Sequence, residues 1–156
     1  MEVFVASPFG NYIQPKGCVP VTGTWTLNPR GNRFWRVLKT LRYNSRMDGW
    51  QNNLGLPNPG IHKGLASILP GQILSIAEIQ EGEFLNLSRI IPFDQNIEIN
   101  ISCPNVDVPT PWRSLHYFME TDLRQYCIAK VSPLTSLDDL KFLIDEVGFK
   151  QLHFCN

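Results

Sequence analysis

No two cysteines in this chain are spaced C-x-x-C, and there are only four of them, Cys18, Cys103, Cys127 and Cys155. Scattered thiols do not make the framework of a small disulfide-stapled domain, so they are expected to be reduced. His153 and Cys155 would share one face of a strand, but two ligands do not make a metal site, and core packing is the expected role. Nothing approaches the ~18 consecutive apolar residues of a membrane span. The opening Met-Glu-Val-Phe-Val-Ala has neither the basic flank nor the apolar length of a signal peptide. The expectation is a soluble, cytoplasmic protein with no membrane partner. Neither G-x-G-x-x-G nor G-x-x-x-x-G-K-[ST] occurs, which removes the two common nucleotide loops.

Net charge is also missing, since 14 basic side chains balance 14 acidic ones. The balance is uneven along the chain. Residues 1–60 hold seven Lys/Arg against two acids, and residues 61–156 hold seven against twelve. The early excess is concentrated at Arg30, Arg33, Arg36, Lys39, Arg42 and Arg46, with Phe34, Trp35, Val37, Leu38 and Leu41 between them. This reads as an amphipathic helix or an extended cover with a solvated basic edge, favoured over a nucleic-acid or anionic-surface role, and the stripe is kept as an interaction candidate only.

What is present is a chain of 156 residues, 43% hydrophobic and 18% charged, enough for one globular domain with a core. Short apolar, β-branched runs predict strands near residues 3–7, 19–24, 73–77, 97–102, 128–132 and 152–155. Helices are predicted near residues 61–69, 84–91, 115–126 and 137–147. The last has the clearest ends. Ser136 and Asp139 form a capping box, and Gly148 can take the left-handed conformation that stops a helix. Alternating strand and helix predicts a parallel α/β fold, either an open sheet or a (β/α)8 barrel. In both, reactive residues gather at the C-terminal strand ends.

The segment Asn100-Ile-Ser-Cys103-Pro-Asn105 closely resembles the strand-four signature of the dihydroorotate dehydrogenases, FMN-containing (β/α)8 barrels. Further matches follow in the family's order. They are Val5-Ala6-Ser7, Thr26-Leu-Asn-Pro-Arg30-Gly-Asn32, Asn52-Asn-Leu-Gly55-Leu-Pro-Asn58-Pro-Gly60, Ser75-Ile-Ala77, Ala129-Lys130-Val-Ser-Pro133 and Phe154-Cys155-Asn156. The resemblance implies oxidation of dihydroorotate to orotate in pyrimidine synthesis. Cys103 would be the base, and a cysteine there points to the soluble class of the family. Asn52, Gly55, Leu56, Asn100, Asn105 and Asn156 would bind the substrate, asparagine supplying donor and acceptor on one short side chain. Ala6, Ser7, Asn100 and Lys130 would line the FMN.

Two departures accompany the resemblance. Where the family has a lysine at the end of strand two, this chain has Gly23, with Trp25 or a nearby arginine as candidate substitutes; Pro8 also replaces a common glycine. A closed barrel of this type needs about 250 residues. The chain is therefore expected to be the N-terminal portion of such a barrel, a single domain over residues 1–156 of about six parallel strands, ending after strand six. The glycine-rich ends of strands seven and eight, which hold the FMN phosphate in the family, would be missing. A second copy or a partner chain would then complete it. The departures also support a reading from another class, a catalytically silent barrel fragment serving as a structural subunit or binding module.

Overall fold

A computed structural model describes residues 2–6, 9–31, 33–51, 55–101, 112–119 and 121–154. Six parallel strands stand side by side in chain order. Strand β1 (Val3–Val5) pairs with β2 (Cys18–Pro20), with Val3 opposite Cys18. Further along, β5 (Leu74–Ile76), β6 (Ile97–Asn100), β7 (Cys127–Val131) and β8 (Gln151–Phe154) form a four-stranded parallel sheet in that order. Parallel bridges from Val21 to Ile73 and from Trp25 to Ile76 join the chain after β2 to β5. This mixed α/β architecture is consistent with part of a TIM-type (β/α)8 barrel.

Alternation along each strand sorts the side chains onto two faces. Leu74, Ile76, Ile97, Ile99, Ala129 and Val131 take the outer face and pack against helices α2 (Ile61–Ser67), α3 (Glu83–Ile90) and the last helix. Phe84 of α3 meets Phe118 edge to face, with ring centroids 5.5 Å apart. The inner face carries a smaller apolar cluster of Val21, Ile73, Tyr126 and Ile128, and beyond it turns polar.

The last helix starts as its capping box requires. Ser136 Oγ accepts from the Asp139 N–H at 3.1 Å, α4 runs over Leu137–Lys141 and continues as a π-helical segment, Phe142–Val147. Gly148 closes it at φ 94°.

Two stretches differ from the sequence-based expectation. The basic stripe is not one face: it divides between α1 (Arg33–Thr40) and an antiparallel hairpin of β3 (Arg42–Asn44) and β4 (Gly49–Gln51). The four residues 45–48 connect the strands, and Asp48 sits at φ 47° just before β4. The helix expected over residues 115–126 shrinks to a 3-10 segment, Trp112–Phe118. Beyond it, the Thr121 hydroxyl accepts from the Leu123 N–H at 3.1 Å, a local turn that competes with helix. The Arg124 guanidinium then binds the carbonyls of Gln95, Phe118 and Pro92, steering the chain into β7.

Helix α2 approaches the sheet through Gly64. A Cβ there would lie 2.7 Å from Trp25 Cδ2 and 2.9 Å from its Cγ. Gly64→Ala gains about 1 kcal/mol of helix propensity, but a rigid indole cannot yield cheaply and overpacking costs about 1–3 kcal/mol. The expected outcome is net destabilisation, read as a lower denaturant midpoint with an unchanged slope.

Candidate active site at the strand ends

The strand-four residue Asn100 ends β6 and is buried. Its Cα partner on β7 is Lys130, whose own partner on β8 is His153. Three strands thus place an amide, an ammonium and an imidazole in one row. Asn100 Nδ2 donates to Thr24 Oγ1 at 3.2 Å, while Asn100 Oδ1 is buried with no hydrogen-bond partner among the described residues. A buried amide oxygen without a donor is costly, so it marks a place where a ligand N–H would be welcome.

Behind Asn100 lies a polar layer that sequence reasoning missed. Thr24 contacts Ser75 Oγ at 3.1 Å, and Ser75 donates to Glu98 Oε1 at 2.8 Å. Glu98 is fully buried, and its Oε2 lies 2.7 Å from His153 Nδ1. Ser75 is the lone polar residue of β5, and Glu98 stands between two isoleucines in β6, Ile-Glu-Ile. Only the strand register shows that they share the inner face.

Three other expected residues, Ala6, Gly55 and Leu56, lie in described segments. Ala6 follows β1 and its carbonyl accepts from the Phe9 and Gly10 N–H groups at 3.0 and 3.3 Å. Gly55 and Leu56 lie in a loop with both residues at positive φ, 61° and 56°. Arg30 Nε donates to the Gly55 carbonyl at 3.2 Å, and Asn58 Nδ2 to the Leu56 carbonyl at 2.9 Å. Ser7, Asn52, Cys103, Asn105, Cys155 and Asn156 lie outside the described residues. The register thus makes Asn100 and Lys130 neighbours on adjacent strands.

Nothing described replaces the strand-two lysine. The Gly23 N–H donates to Asn11 Oδ1 at 3.0 Å, and Trp25 packs against the outer core and α2. Arg30 is spent on the Gly55 carbonyl.

Two groups away from this row have shifted acidities. Burial raises the Glu78 carboxyl above the usual range, against hydrogen bonds from the Phe84 N–H and the Ser114 hydroxyl. Burial also pushes the Cys127 thiol up to about 12, with Arg124 opposing the shift. Cys127 is therefore not a thiolate at neutral pH and takes no part in base chemistry. Among the described residues no group of three or more His, Cys, Asp or Glu could hold a metal ion. None of the helices described is long and apolar enough to cross a membrane.

Comparison with curated proteins gives the site its context. Over 147 residues, 82% of this chain, it is 30% identical to the dihydroorotate dehydrogenase B (NAD(+)) catalytic subunit of Endomicrobium trichonymphae. The chain is similar to the dihydroorotate dehydrogenases. The corresponding catalytic subunit of Thermoanaerobacter pseudethanolicus is 36% identical over 110 residues, 63% of this chain. Dihydroorotate dehydrogenase A (fumarate) of Lactiplantibacillus plantarum is 41% identical over 71 residues, 38% of this chain. The matched regions span 46%, 34% and 23% of these three dihydroorotate dehydrogenases, respectively, less than half of each. No family model matches the chain.

Proposed function

We propose that this chain carries the ring-binding part of an FMN-dependent oxidoreductase of the dihydroorotate dehydrogenase type. The observation that carries the reading is the Asn100–Lys130 pair on adjacent strand ends, with the buried Asn100 Oδ1 lacking a donor among the described residues. A flat ring bearing amide N–H groups suits that acceptor. The Lys130 ammonium beside it suits a ring that gains negative charge. The residues present therefore fit FMN, which when bound supplies a hydride acceptor.

Roles follow from side-chain chemistry. Cys103 takes the ring proton from dihydroorotate, provided its thiolate is accessible. Asn52, Asn105 and Asn156, with the backbone at Gly55 and Leu56, hold the amides and carboxylate of dihydroorotate or orotate. Ala6, Ser7, Asn100 and Lys130 hold the flavin ring. One observation favours the alternative, a catalytically silent module: no described side chain takes the place of the lysine replaced by Gly23.

Flavin binding tests the reading. Purified protein, or protein reconstituted with FMN, is expected to be yellow and to quench flavin fluorescence, and orotate should perturb the bound flavin spectrum. A colourless protein that cannot be reconstituted would leave the silent module standing.

A further inference from the structure

Five inner-face residues from four segments form one hydrogen-bonded line, Asn100–Thr24–Ser75–Glu98–His153. Its direction can be worked out from proton counts. A carboxylate only accepts, so the single Ser75 hydroxyl proton goes to Glu98 Oε1, at 2.8 Å. Ser75 Oγ can then only accept from Thr24, whose hydroxyl proton is thereby committed across 3.1 Å. Thr24 Oγ1 is left as an acceptor, and the one Asn100 group able to donate to it is Nδ2, at 3.2 Å. Asn100 Oδ1 is in consequence turned away from Thr24, buried and without a partner among the described residues. On the other side His153 Nδ1 donates to Glu98 Oε2, which completes the carboxylate's support in a fully buried position.

We propose that Glu98 is a positioning residue: acting through Ser75 and Thr24, it fixes which end of the Asn100 amide faces the ligand. The inference rests on the flavin reading for what the ligand is, but not for the direction of the amide. Without the carboxylate the chain has no fixed polarity. Thr24 can then donate to Asn100 Oδ1, turning Nδ2 outward and offering a ring N–H a donor where it needs an acceptor. Such a mismatch in a dry site leaves two donors facing each other and typically costs roughly tenfold or more in affinity.

The test uses Ser75→Ala, which cuts the line but keeps the Glu98–His153 contact, and Glu98→Leu, which removes the carboxylate. Ser75→Thr restores the hydroxyl and serves as the rescue. In ligand-free protein, the nuclear Overhauser contact between the Asn100 side-chain NH2 and Thr24 is assigned by its loss in Asn100→Asp. It should be present in the parent, lost in Ser75→Ala and Glu98→Leu, and restored in Ser75→Thr. FMN affinity, measured by fluorescence quenching, should fall roughly tenfold or more in the first two and recover in the third. If Glu98→Leu does not fold, Ser75→Ala decides. A retained contact in Ser75→Ala overturns the inference, and a lost contact with unchanged affinity overturns the positioning role. A parent protein that binds no FMN defeats the flavin reading and the positioning role with it, while the Overhauser contact still decides the amide's direction.

Discussion

Cys103→Ala should slow reduction of bound flavin by dihydroorotate by roughly 10²–10⁴-fold, the usual contribution of a positioned general base. Orotate affinity should change little, because a base acts on the transition state and adds little to ground-state binding. Asn105→Ala and Asn52→Ala should show the opposite pattern. Each removes a donor and an acceptor from a flat polar ligand, so binding weakens strongly while the rate at saturation changes less. Stopped-flow flavin reduction and orotate titration on the three variants separate the two patterns. If Cys103→Ala reduces its flavin as fast as the parent, the base lies elsewhere. It is not Cys127, whose thiol burial has pushed up to about 12.

Asn58→Ala should destabilise the protein by roughly 2–4 kcal/mol, the sum expected when several buried hydrogen-bonding groups lose their partners at once. Asn58 is 8% exposed, and its side chain works in both directions. Oδ1 accepts from the Gly60 N–H at 2.8 Å and from the Thr26 N–H at 3.3 Å. Nδ2 donates to Thr26 Oγ1 and to the Leu56 carbonyl, both at 2.9 Å. Its backbone also exchanges hydrogen bonds with Arg30. Alanine has no groups to replace these and leaves two backbone N–H groups unpaired. Leu56 stands at φ 56°, a conformation that costs a branched residue about 1–2 kcal/mol. Once Asn58 no longer holds its carbonyl, the loop at residues 55–60 should relax. Chemical denaturation measures the first effect, and faster limited proteolysis at that loop measures the second. A variant with parental stability would show that Thr26 and Arg30 hold the loop by themselves.

Much of the fold was legible because it rests on local signals. The six apolar runs became strands within a few residues of their expected places, and the Ser136–Asp139 box and Gly148 set the ends of the last helix. The β3–β4 hairpin was hidden by the arginines around it, which suggested one continuous basic face. The helix expected through residue 126 failed because Arg124 has a tertiary task, binding three carbonyls, that no periodicity shows. At the site, Asn100 and Lys130 were readable from motifs, and the structure makes them neighbours. Ser75, Glu98 and His153 were not readable as a group, since polar residues scattered over three strands carry no shared meaning until register aligns them. The expected base Cys103 falls outside the described residues, so its placement rests on resemblance.

Strand order along the sheet also has a consequence for how the chain is made. Strands β6, β7 and β8 each pair with the strand synthesised just before them. As the polypeptide leaves the ribosome, each new strand therefore finds its template already present, and no strand waits for a later one to be inserted beside it. Growth can proceed from the N-terminal side, one strand and its helix at a time. The intermediate at each stage exposes a single unpaired edge on its growing side, which is where a chaperone or a stray strand would bind. Synthesis paused after β6 should thus yield a species whose vulnerable surface is β6 itself, with Glu98 and Asn100 on one face and Ile97 and Ile99 on the other.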